Sequence, residues 1–198
     1  MFKNLVSIAT AAAALSFGAA NATAINCADG TPDVTGNVSP TSACQYSDSA
    51  TNDSEAVVNS EMFFGFDDWI FDAKDEADNG FGAVDEGADT LGLIIDGDTE
   101  SGTWELTGIS SLDGLDVMLV FKDGQTALPG VVVAYLLSGL SGDFSSPFFG
   151  DRGQLKDISH ISVYYRGSVS EVPLPAAAWL MIAGIAGLSA ASRRKKVA

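Results

Sequence analysis

The stretch Leu115-Asp116-Val117-Met118-Leu119-Val120-Phe121 decides the fold. Leu115, Val117, Leu119 and Phe121 alternate on one face of an extended chain, while Met118 and Val120 make the opposite face half apolar, as expected for a central strand of a sandwich. The alternation recurs downstream in Val131, Val133, Tyr135 and Leu137, and again in Ile161, Val163 and Tyr165. Upstream it appears in Trp104 and Leu106 within Gly102-Thr103-Trp104-Glu105-Leu106, and in Leu91, Leu93 and Ile95. Asp96-Gly97, Asp113-Gly114, Asp123-Gly124 and Ser141-Gly142 read as turns between these runs. No sustained helical period occurs between Glu61 and Glu171. The pattern predicts an all-β domain over 61–171, an antiparallel β-sandwich of jelly-roll-like type with roughly seven or eight short strands.

Around this domain the composition is divided. The 198 residues are 46% hydrophobic, yet 26 acidic side chains face 10 basic ones for a net charge of −16. A mean hydropathy of +0.20 excludes a wholly disordered acidic chain. The charge excludes a nucleic-acid partner, whose phosphates require a basic surface. The apolar and acidic residues occupy different segments. Between Ile25 and Glu171 lie all 26 acidic residues against 5 basic ones, a net of −21, which favours solubility and cation binding.

Residues 1–24 read as a signal peptide: Lys3, an apolar run from Leu5 to Ala20, and the small-residue cleavage site Ala22-Thr23-Ala24, with cleavage after Ala24. At the other end, residues 176–192 form an uncharged apolar run that predicts a single transmembrane helix at the short end of the bilayer range. Arg193, Arg194, Lys195 and Lys196 follow it as a basic stop-transfer tail that stays cytoplasmic, leaving the acidic domain outside. Ahead of the helix, Pro173 and Pro175 impose an extended strip that a processing enzyme can grip.

Val172-Pro173-Leu174-Pro175-Ala176, the short apolar helix and the terminal basic cluster together resemble the VPLPA-type variant of the PEP-CTERM sorting signal of Gram-negative bacteria. The resemblance covers 172–198. It implies a partner, an exosortase-like membrane enzyme that acts as transpeptidase or protease, and delivery from the inner membrane to the cell surface or the exopolysaccharide matrix. Leu174 stands where the family name has Glu, which leaves the variant of exosortase and its cutting point open. An ordinary single-span protein with an unprocessed tail is the alternative. Gly102-Thr103-Trp104, Lys122-Asp123-Gly124 with Ala134-Tyr135-Leu136, and Ser159-His160-Ile161-Ser162 are similar to ectodomains that bear such tails, which implies a β-rich surface domain and no particular activity.

Cys27 and Cys44 are the only cysteines, and in an exported chain the pair predicts a disulfide. It would pin a loop-rich segment, 25–60, whose Ser, Thr, Asn and Asp content and Pro32 and Pro40 predict irregular structure. Asp75-Glu76-Ala77-Asp78-Asn79-Gly80 with Glu86 echoes a calcium-binding loop, with Asp75, Asn79 and Glu86 as oxygen ligands, although Ala77 breaks the pattern. Asp96, Asp98 and Glu100 form a second oxygen cluster beside a turn. Apart from calcium at these positions, no cofactor is expected.

No catalytic residue is expected. Asp157, Ser159 and His160 are neighbours in sequence, whereas triad members must converge in space, and His160 reads as a strand histidine. Carboxylate pairs such as Glu61 with Asp67 or Glu100 with Glu105 arise by chance in so acidic a chain. Trp69, Trp104, Tyr164 and Tyr165 could form a sugar-stacking platform, but alternation places Trp104 in the core with Leu106 and leaves only Tyr164 on the opposite, exposed face. Two expectations follow: an exported, non-enzymatic surface or matrix protein, or a carbohydrate-binding, lectin-like adhesin, calcium-dependent in one form.

Overall fold

A computed structural model describes residues 24–77, 80–124 and 127–167. The predicted signal peptide up to residue 23, the sorting motif Val172 to Ala176, the apolar run 176–192 and the basic tail lie outside the described residues. Among the described residues, no helix is long and apolar enough to cross a membrane.

The chain folds as two antiparallel sheets packed face to face. The strands are β1 (Ile25–Asn26), β2 (Val38–Ser39), β3 (Thr41–Ser47), β4 (Ile70–Glu76), β5 (Glu86–Gly87), β6 (Leu93–Gly97), β7 (Ser101–Leu106), β8 (Leu115–Lys122), β9 (Val132–Leu137), β10 (Ser141–Ser145) and β11 (His160–Gly167). One sheet runs β1-β3-β9-β8-β11-β4-β5 and the other β2-β10-β7-β6. β8 lies at the centre of the larger sheet, as its two-faced apolar pattern requires, with Leu119 opposite Tyr135 on one side and Val163 on the other.

The two faces of β8 enter two separate cores. Val117, Leu119 and Phe121 pack with Tyr135, Ile161 and Val163 against Ile95, Trp104, Leu106 and Phe144 of the smaller sheet. Hydrogen bonds close the polar ends of this core: Tyr135 Oη donates to Val34 O at 2.8 Å and Trp104 Nε1 to Ser39 O at 3.1 Å. On the outer face, Met118, Val120, Val132, Ala134 and Tyr164 are covered by Ala50, Val58, Phe63 and Trp69. The cover comprises α1 (Glu55–Glu61) and a tight turn over Phe63–Gly65, entered through Met62 at φ 55°. The Asn59 amide staples its two ends, donating to Trp69 O at 2.9 Å and accepting from Trp69 N at 2.8 Å.

Several local expectations change. The segment 25–60, expected to be loop-rich, supplies strands to both sheets: Cys44 and Tyr46 of β3 face the core, and Val34 and Val38 are buried with them. The expected Cys27–Cys44 disulfide is present and ties the turn after β1 to β3. Tyr164, expected to be exposed, is buried beneath the cover, and Trp69 and Trp104 are core residues. Ser141-Gly142 opens β10 rather than forming a turn. The glycine serves a close backbone approach, since a Cβ there would fall 1.7 Å from Ser39 O. Likewise β6 runs through Asp96-Gly97, and the turn follows it: Asp98 Oδ1 accepts from Glu100 N at 2.9 Å and Ser101 N at 2.8 Å.

Candidate functional site

On the outer face of the larger sheet the register aligns polar residues at one end. Glu76, His160 and Lys122 lie in one cross-strand row, and Lys74, Ser162 and Val120 in the next. The loop leading into α1 brings Asp53 down onto these rows. Asp53 Oδ1 lies 2.9 Å from His160 Nε2, Ser162 Oγ donates to Asp53 Oδ2 at 2.6 Å, and the Tyr164 hydroxyl donates to the Asp53 carbonyl. Burial works to raise the Asp53 carboxyl, but the hydrogen bond and charge of His160 and the hydrogen bond of Ser162 outweigh it and hold the group below the usual carboxylate range.

A groove of about 820 Å³ opens beside this cluster, between the cover and the outer strands β4 and β5. Asn52, Asp53, Glu55, Phe71, Lys74 and His160 contribute to its lining. At its edge the Lys74 ammonium is bound by Glu76 Oε1 at 2.8 Å and Glu86 Oε2 at 2.6 Å. Burial disfavours that charge, and the two carboxylates more than restore it, so the Lys74 pKa is raised. Glu55 Oε2 accepts from Phe71 N at 2.9 Å, which fixes the groove wall to the start of β4.

The chemistry of the cluster is that of a joint. Ser162 Oγ donates to Asp53 and not to His160, so the three residues lack the serine–histidine contact of a catalytic triad. Asp157, three residues before His160, instead accepts from Thr99 Oγ1 at 2.5 Å. The Glu61 carboxylate is buried and engaged by Ser47 Oγ at 2.7 Å and Ser49 Oγ at 3.0 Å, so it closes the cover rather than pairing with Asp67.

The acidic residues expected to hold calcium are distributed among separate tasks. Asp75 points from β4 into the buried region, where Oδ2 accepts from Gly82 N at 3.0 Å and Oδ1 has no partner. Burial, then the charges of Asp85 and Glu76, raise its pKa despite that hydrogen bond. Glu86 is neutralised by Lys74, Asn79 lies outside the described residues, and Asp98 caps the β6–β7 turn. Asp96 and Glu100 are exposed on and after β6. Among the described residues no three His, Cys, Asp or Glu side chains gather into a metal-holding group.

Asp53 was not singled out by sequence reasoning, and neither was Lys74. Asp53 lies 107 residues from His160, and no periodicity links a loop acid to a strand histidine across that separation. The only signal was His160 itself, the single histidine, placed next to a run of alternating apolar residues. No family model matches the chain, and no curated protein or solved structure is significantly similar to it.

Proposed function

We propose that this chain is the precursor of an exported, non-enzymatic cell-surface or exopolysaccharide-matrix protein. Residues 1–24 direct export, 172–198 hold the precursor in the inner membrane, and an exosortase-like enzyme releases or transfers the folded domain. The observation that carries the reading is the order of parts after Glu171: Val172-Pro173-Leu174-Pro175-Ala176, an apolar run through 192, then Arg193 to Lys196. The Cys27–Cys44 disulfide supports it, because such bonds persist in oxidising compartments. The test is the mass of the surface-associated protein. A form shortened at both ends is expected, and a surface form with the full precursor mass would overturn processing.

The groove favours a second reading, a lectin-like adhesin on the same scaffold. Its volume of about 820 Å³ has room for a short oligosaccharide. A glycan array probed with and without calcium tests it, and binding to no glycan would remove it.

A further inference from the structure

We propose that the buried carboxylate of Asp75, with Asp85 fastened beside it, is the seat of a calcium ion at the inner side of β4. The strand turns Asp75 inward, opposite the core residue Ile161 of β11, and leaves it 2% exposed. Its Oδ2 accepts from Gly82 N at 3.0 Å, whereas Oδ1 is enclosed with no hydrogen-bond partner. A carboxylate oxygen shut away from water without a donor is costly, and native folds meet such an atom with a donor or a cation.

The chain around Asp75 brings up a second acid and no base. Asp85 N donates to Lys74 O at 2.8 Å and Asp85 Oδ2 accepts from Glu76 N at 2.8 Å, so Asp85 is bound to both sequence neighbours of Asp75. Lys74 does not neutralise the pair. Strand alternation puts its ammonium on the other face of β4, where Glu76 and Glu86 bind it. The charges of Asp85 and Glu76 that disfavour a bare Asp75 carboxylate become favourable once a dication sits against it. The donors here are oxygens, which a hard cation prefers, and calcium accepts irregular shells completed by main-chain carbonyls and water. Two carboxylates can therefore anchor it, although Glu86, an acid of the sequence pattern, is committed to Lys74.

The test melts the full chain in detergent with calcium chloride, and with sodium chloride of the same ionic strength so that screening of the net charge is common to both. Calcium at about 10 mM should raise the melting temperature by about 3–10 °C over the sodium control, the range expected for a site of extracellular affinity. Asp75→Asn should abolish that rise, and Asp85→Asn, at an exposed position, should reduce it severalfold. Glu86→Gln should keep it. Where Asp75→Asn does not fold, Asp85→Asn carries the test. No difference between calcium and sodium in the parent chain would overturn the site. So would a rise that persists in folded Asp75→Asn, or one lost in Glu86→Gln but kept in both Asp variants, which would put the ion in the groove.

Discussion

Asp53 joins the cover to the sheet through three contacts, and its ionisation makes that joint pH-dependent. Its carboxyl is held below the ordinary value of about 3.9, so its stabilisation is complete above that value and is lost as the pH falls through the lowered folded-state value. Asp53→Asn should therefore be less stable than the parent at pH 6 by about 1–3 kcal/mol, through weakened bonds to His160 and Ser162. Melting curves between about pH 6 and pH 2 should show the difference closing toward acid; a constant difference would mean the carboxylate's charge is not what holds the joint. At this scale the sequence was least informative. Asp75 reads as a calcium-binding acid, yet it is buried and accepts from Gly82 N, and Asp72, which no pattern singled out, is buried too and accepts from Thr90 N and Leu91 N at 2.9 Å each. A buried carboxylate that holds loop amides looks like any surface acid until its position is known.

At the scale of elements, the cover over Met118, Val120 and Tyr164 explains why β8 is apolar on both sides. Trp69 anchors that cover, with its ring edge-on to Phe64 and Phe66 and its Nε1 donating to Phe63 O at 3.1 Å. Trp69→Ala should cost about 3–5 kcal/mol and expose the outer sheet face to a hydrophobic dye; little change in either would mean the cover is not anchored there. The Cys27–Cys44 bond closes a separation of 17 residues between the turn after β1 and β3, so its reduction should destabilise by roughly 3 kcal/mol in the chain-entropy view, read as a lower denaturant midpoint. The strands with strict apolar alternation, β7, β8, β9 and β11, were legible because burial on a pleated face has a period of two. β3 was not, since Thr41-Ser42-Ala43-Cys44-Gln45-Tyr46-Ser47 hides two core positions in a polar run. β4 was not, because acids occupy inward positions at Asp72 and Asp75. Gly97 and Gly142 misled for one physical reason: each permits close backbone contact within a hairpin or strand pair, a use that composition does not distinguish from a turn.

For the whole molecule, charge is the dominant long-range term. The segment 25–171 carries a net of −21, and the described ion pairs, at Lys74, Lys156, His160 and Arg166, engage only a minority of its acids. Raising salt from about 0.01 M to about 1 M shortens the screening length from about 30 Å to about 3 Å, so self-repulsion should relax and the melting temperature rise. A fall would show that the local pairs, and not the net charge, govern stability. The same charge requires that any anionic matrix polymer be met through a bridging ion.

Deletion of residues 172–198 tests the account most directly. Fractionation of cells making the shortened chain should find a folded, disulfide-bonded domain lost from the membrane and surface fractions and recovered in soluble exported material. Unchanged membrane and surface localisation after the deletion would contradict sorting by the Val172-Pro173-Leu174-Pro175-Ala176 tail.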